Sequence, residues 1–332
     1  MKKNSEIRKE AWSLMWHGRW FWRYLATYAV MMAIVLVAMI AVSFAYSALG
    51  VETMQDFKEA QIAARRQGLE YAAPSMRALW GMISATGFER FISFVFSGIL
   101  AFGMTSVVLQ AVRGEKASWF RRALAGFGNP FGMFLLMLRL TLGFLVWMML
   151  AVLPMVWIIP RAGAGGAVGA SAAVACSSLW ALGVMLYVAY RYRAAWFLKV
   201  DHPDWGAWEC VRRSVELMDG AKRAAFGLDC SYWLAALPPT LFGLLPLVPC
   251  MKLLRRACEG VDVRGCLQAA DWAALGLGWS DALLLAVAVL GGAVSGVILW
   301  VYLVLGHAVF YREQVAAANE GTEVDDGASA VG

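Results

Sequence analysis

The sequence predicts an all-α, polytopic transmembrane bundle of six spans, with amphipathic interfacial helices on the cytoplasmic side. Three observations predict it. Of the 332 residues, 61% are hydrophobic and only 16% are charged, against about 25% charged in soluble domains. The apolar residues gather into six runs, near 24–51, 91–112, 131–159, 166–190, 224–251 and 282–311, each longer than the roughly 20 residues that cross about 30 Å of hydrocarbon as a helix. No run alternates with the period of a barrel strand, so a helix is the way each can satisfy its own backbone hydrogen bonds in lipid.

The segment before the first run, 1–23, reads as an interfacial helix. Over residues 5–22, Ile7, Ala11, Leu14, Met15 and Gly18 fall on one arc, with Glu6, Lys9, Glu10, Ser13 and His17 opposite. Trp12, Trp16, Trp20 and Trp22 suit the headgroup zone. The first apolar run far exceeds the roughly 7 to 15 residues of a signal-peptide core, and so reads as a retained anchor. Lys and Arg then set the orientation: 18 fall in the N-terminal segment, the loops after spans two and four and the C-terminal end, against 10 on the other side. The positive-inside rule places both termini in the cytoplasm. The net charge of +6 is thus a topology signal and a contact with anionic lipid headgroups; no basic face interleaved with stacking aromatics supports nucleic-acid binding.

Two outer loops are long. The first, 52–90, is expected to hold a helix near 55–67. The second, 252–281, contains Cys258 and Cys266, with Cys250 just before it. A Cys258–Cys266 disulfide would close a short loop on an oxidising side; unpaired thiols are the alternative, since three outward cysteines leave one over. Neither a histidine nor a paired C-x-x-C accompanies them, so no metal site is expected. Between the long loops, the inner loop after span four predicts a second amphipathic helix over 205–218, N-capped by Asp204 and ended by Gly220, with Trp208, Val211, Val215 and Met218 on its apolar face. Its polar face pairs Glu209 with Arg213 and Arg212 with Glu216. Gly165, Gly169 and Ala173, and Gly292 with Gly296, offer small faces for helix packing. The final segment, 312–332, is acidic and expected to be disordered.

Ionisable groups within hydrocarbon mark candidate sites, and here they are Arg139, Asp229 and His307. Counted from the inner ends of their spans, all three lie within about 6 to 12 Å of the cytoplasmic boundary. An Arg139–Asp229 ion pair, with His307 and the hydroxyls of Thr105, Ser106 and Ser231 nearby, would make a polar pocket; alternatively Arg139 snorkels to headgroup phosphates and Asp229 faces water alone. Pro238 and Pro239 at mid-depth in span five predict a kink or break that frees carbonyls near Leu234 and Ala235. Such a break is either a substrate-binding feature of a transporter or a kink covered by a hydroxyl such as Thr240. No G-x-S-x-G, H-E-x-x-H or phosphate-loop motif occurs, and the histidines are His17, His202 and His307. Neither an enzyme nor a cofactor is expected.

Asp201-His202-Pro203-Asp204 leads into Cys210-Val211-Arg212-Arg213-Ser214-Val215-Glu216-Leu217-Met218-Asp219-Gly220, followed by Lys222, Phe226, Leu228 and Ser231. With Gly18 and Trp20 before span one, Arg113-Gly114-Glu115 after span two and Phe310-Tyr311 at the last span's end, this resembles an uncharacterised family of bacterial integral membrane proteins, the domain of unknown function nine-seven-five. The signature residues Asp201, Pro203, Ser214, Glu216, Leu217, Met218 and Gly220 carry most of the likeness. The resemblance implies topology and no activity. Two departures lie on the outer face: a Gly- and Ala-rich insertion follows Ile159-Pro160 where family members have a tight turn, and the cysteine-bearing loop replaces a short link.

The reading is therefore a multi-pass membrane protein that organises or binds membrane components, lipid or protein, at its inner face. The alternative is a small-molecule or lipid transporter using the proline-broken span and the Arg139, Asp229 and His307 cluster.

Overall fold

A computed structural model describes residues 2–17, 19–48, 62, 76–162, 166–259 and 278–329. The chain forms α1 (Asn4–His17), α2 (Trp20–Ala48), α3 (Met76–Arg113), α4 (Trp119–Ala123), a 3-10 turn (Leu124–Gly128), α5 (Pro130–Ala162) and α6 (Gly166–Tyr192). It continues through α7 (Ala195–Asp201), α8 (Ala207–Leu217), α9 (Lys222–Ser231), α10 (Trp233–Leu244), α11 (Leu247–Cys258) and α12 (Trp279–Ser329). Among the described residues there is no strand, and six helical segments are long and apolar enough to cross a membrane. The expected helix at 55–67, the partner of Cys258 at Cys266 and the Gly165 end of one small-residue face lie outside the described residues.

The helices group into two units: Met1–Phe21 with Arg223–Val331, and Trp22–Lys222. In the second, α5 packs along α6 and α3, and α8 lies on α5. One core cluster joins Met31, Ile99, Phe102 and Met133; another joins Leu136, Ala195, Cys210 and Val211. Glycine sets one approach: a Cβ on Gly103 would collide with the Ala123 carbonyl and lie 2.9 Å from the Met31 methyl. Close backbone contact through small residues is how helices associate where no hydrophobic force acts between them. Elsewhere large apolar side chains face outward, including Val146, Met149, Leu179 and Leu182, as a lipid-facing surface requires.

Turn chemistry ends the helices. After α3, Gly114 adopts φ 67°, the Gly114 N–H donates to Ala111 O at 3.3 Å and the Glu115 N–H to Gln110 O at 3.2 Å, the two bonds of a Schellman motif. The buried Gln110 amide donates to Glu115 O and Ala117 O, holding the rest of the loop. After α8, Gly220 adopts φ 76°, at the expected stop.

Four sequence expectations are corrected. The N-terminal helix does not run through residue 22: Arg19 takes a left-handed φ of 56°, rare for a side-chain-bearing residue, so α1 ends at His17 and the first membrane helix starts at Trp20. Asp204 does not cap α8. The buried Lys199 ammonium donates to Pro203 O at 2.7 Å and Trp205 O at 2.6 Å, which shapes residues 203–205 and moves the cap to Gly206. The last helix does not end at residue 311 but continues through Ser329; at the expected boundary Tyr311 and Gln314 are buried and Glu313 pairs with Lys2 and Arg312.

The fourth correction concerns span five. Helix α10 runs through Pro238 and Pro239, and the interruptions fall at Tyr232 and at Leu245–Pro246 instead. The Thr240 hydroxyl donates to Ala236 O at 2.7 Å, tying this stretch together where two proline N–H donors are missing. Alanine at both prolines would restore those donors and relieve ring clashes. It is therefore expected to raise the apparent melting temperature in a fixed detergent; a drop would mean that the prolines shape α10.

Candidate functional site

The polar site with the clearest geometry lies in the unit Trp22–Lys222, where the start of α5, the end of α6 and α8 meet. A groove of about 300 Å³ opens there, lined by Arg139, Arg191, Tyr192, Trp208, Val211, Arg212, Val215 and Glu216. Helix α8 docks by one side only: Cys210, Val211 and Ser214 are buried, and the Ser214 hydroxyl donates to Arg191 O at 3.2 Å. This bond fixes α8 against the end of α6 beside the groove. Gly143 on α5 lets the Tyr192 ring lie close, since a Cβ there would come within 3.1 Å of its hydroxyl.

Charge in the groove is unevenly compensated. Arg212 lies 2.8 Å from Glu209, and this guanidinium holds the Glu209 carboxyl below the usual carboxylate range. Glu216 takes a 3.1 Å contact from Arg213. Arg139 differs. Its guanidinium lies 4.2 Å from the centre of the Trp208 ring, a cation–π contact, and no described carboxylate lies within ion-pair reach. Arg191 donates to the Tyr187 hydroxyl at 3.1 Å. The Nε groups of both arginines are shielded and have no acceptor among the described residues.

The signature residues build this wall. Glu216 lines the groove, Ser214 anchors its helix, Pro203 accepts from Lys199, and Asp201 accepts from Arg113 at 2.8 Å. Leu217 ends α8 and Met218 is buried beyond it. Residues 1–318 match the family model described as Protein of unknown function (DUF975). The chain belongs to this family. No match was found among curated proteins or among solved structures.

In this DUF975 protein the other two sequence candidates fall in the unit formed by Met1–Phe21 and Arg223–Val331, His307 within the last membrane-spanning segment and Asp229 on α9, just before the fifth, which begins at Trp233. His307 Nε2 and Asp229 Oδ1 are 2.8 Å apart, both half-buried, joining α9 to α12. Around them, Arg8 donates to Ser231 O at 2.6 Å, the Tyr302 hydroxyl donates to Arg8 O at 3.2 Å, and the Tyr232 and Tyr302 rings meet edge to face at 4.6 Å. The Tyr232 hydroxyl packs on Gly306, where a Cβ would collide with it. The Ser231 hydroxyl donates to Leu228 O of its own helix at 2.6 Å, and in the other unit the Thr105 hydroxyl donates to Ala101 O of its own helix at 2.7 Å.

Helix α1 is fastened to α12 by two kinds of contact. Lys2, Glu10, Arg312 and Glu313 form an ion-pair network at 2.9–3.1 Å, whose carboxylates raise the Lys2 pKa. Ile7, Ala11 and Met15 are fully buried. Exposed ion pairs contribute about 0–1 kcal/mol, and a buried methionine cut to alanine costs about 2–5 kcal/mol. Met15→Ala is thus expected to destabilise strongly and Glu10→Gln by less than about 1 kcal/mol, measured by unfolding in mixed micelles; equal losses would reverse this order.

Cysteine chemistry separates buried from open positions. Cys210 is fully buried, and burial pushes its thiol pKa up, while Cys176, Cys230 and Cys250 are exposed. A maleimide is expected to leave Cys210 unmodified until the protein is unfolded. Rapid labelling of Cys210 in the folded state, read by peptide mass, would mean that α8 is not docked.

Arg191 and Trp208 line the groove, and sequence reasoning did not single them out as site candidates. Arg191 counts as one more inner-loop cation until the end of α6 is set beside Arg139. Trp208 shares the helical spacing of Val211 and Met218 and was expected on the buried face, yet it is 65% exposed, drawn over Arg139 instead.

Proposed function

We propose that this DUF975 protein is a non-enzymatic component of the bacterial cytoplasmic (inner) membrane, with both termini in the cytoplasm. It binds anionic lipid headgroups at its inner face, and its inner-face helices α1 and α8 are surfaces for protein partners. The observation that carries this reading is the groove, in which Arg139 and Arg191 keep shielded Nε donors without an acceptor. A guanidinium beside hydrocarbon is expensive, and in a membrane it is commonly satisfied by reaching a headgroup phosphate, which matches its fork of donors. The inward excess of Lys and Arg supports the orientation.

The test is native mass spectrometry of the protein extracted in its own lipids. Anionic lipid is expected to stay bound to the parent and to be depleted in Arg139→Ala. Identical spectra showing bulk lipid alone would remove the support for lipid binding and turn attention to protein partners of α1 and α8.

A transporter is the second reading, favoured by the Asp229–His307 hydrogen bond, which ties α9 to the last membrane-spanning helix, and by the interrupted fifth span. Carboxylate–imidazole pairs in hydrocarbon recur in proton relays, and broken helices in transporter sites. Cysteine labelling beside Leu234 decides: alternating access from both sides favours a transporter, whereas a single fixed pattern counts against it.

A further inference from the structure

The charge balance of the groove names its ligand, given the reading that the groove takes an anion from the membrane. Arg212 is already committed to Glu209, at 2.8 Å, and approaches Glu216 at 3.9 Å. Arg139 and Arg191 meet no described carboxylate, and each keeps an Nε without an acceptor. Two positive charges are therefore uncompensated. A phosphodiester headgroup brings one negative charge and leaves one of them unmatched, whereas a phosphate monoester carries about 1.5 to 2 negative charges near pH 7 and three acceptor oxygens.

We infer that the groove between α5, α6 and α8 binds a phosphate monoester, held between the Arg139 and Arg191 guanidinium groups. The other walls fit the rest of such a molecule. Trp208, Val211 and Val215 give an apolar side to the groove against which a glycerol unit or short carbon chain can lie. Leu135 and Leu142, four residues before and three after Arg139 on the same helix, are exposed, and that spacing sets them on the Arg139 face. This continues the apolar surface in the direction an acyl chain would take. The groove's 300 Å³ is at the lower end of the range of small-molecule sites, about 300–1,000 Å³, enough for a headgroup and not for a whole lipid. A lipid monoester such as phosphatidic acid and a water-soluble monoester share this chemistry.

The full chain in phosphatidylcholine nanodiscs would be titrated with phosphatidic acid and, separately, with phosphatidylglycerol. Phosphatidic acid is expected to bind at least tenfold more tightly. Arg139→Ala and Arg191→Gln are each expected to lose at least tenfold of that affinity, while Arg256→Ala on α11 leaves it unchanged; two separate variants guard against one failing to fold. Competition with glycerol 3-phosphate then identifies the source: displacement at comparable concentration indicates a soluble monoester, and resistance a lipid. Equal, Arg139-dependent binding of both lipids would overturn the monoester assignment and leave anionic-lipid binding standing. If neither lipid's binding depends on Arg139 or Arg191, both readings are overturned.

Discussion

Replacing Gly103 by alanine is expected to destabilise the protein by about 1–3 kcal/mol, the usual range for overpacking a filled site. The added methyl would strike the Ala123 carbonyl and press on the Met31 methyl at 2.9 Å. Met31 has a flexible side chain and can move. The Ala123 carbonyl belongs to the backbone of α4, whose Ala123 is fully buried, and it can yield only if α4 shifts as a whole. Gly183 on α6 is the control, since a Cβ there meets nothing within 4 Å. Unfolding in mixed micelles should show a large loss for Gly103→Ala and none for Gly183→Ala, which gains only the helix preference of alanine, about 0.5–1 kcal/mol. Equal stabilities for the two variants would mean that α3 and α4 do not meet in the way described.

Lys199→Met is expected to cost about 1.5–3 kcal/mol, the range for hydrogen bonds made by a charged group. Lys199 is 3% exposed, and its ammonium donates to Pro203 O and Trp205 O at 2.7 and 2.6 Å. Methionine keeps most of the stem and removes the donors, leaving both carbonyls to seek water. Residues 203–205 lead directly into Gly206, the cap of α8, so a loosened loop also loosens Trp208 over Arg139. The variant should therefore lose both unfolding resistance and lipid retention, whereas Lys116→Met, at an exposed position, should lose neither. Full stability of Lys199→Met would show that the loop holds without its clasp.

The spans were legible because length and apolarity decide them without any tertiary information. The helix stop at Gly220 was legible too, since it needs a left-handed backbone that glycine supplies at little cost. The interruptions of span five were not. Proline chemistry points to Pro238 and Pro239, but Thr240 bonds Ala236 O within the same stretch, and the breaks move to Tyr232 and Leu245–Pro246. Asp204 looked like a cap because its type suits one; Lys199, buried five residues upstream, could not be foreseen as a loop clasp from its charge. The groove was half legible. Arg139 stands out in hydrocarbon, whereas Arg191 looks like any inner-loop cation until α5 and α6 are paired. Asp229 and His307 were flagged by their cost in lipid, but as companions of Arg139; that Asp229 pairs with His307, at 2.8 Å, needed the approach of α9 to α12.

The most direct measurement is photocrosslinking from the groove itself. A photoreactive amino acid would replace Val215, which lines the groove, with the protein left in its native membrane, and the adduct would be identified by mass. The expected result is an adduct with a phosphate-bearing anionic lipid, enriched well beyond its share of the membrane and abolished by Arg139→Ala. Adducts that mirror bulk lipid composition and persist unchanged in Arg139→Ala would contradict a headgroup site at Arg139 and Arg191.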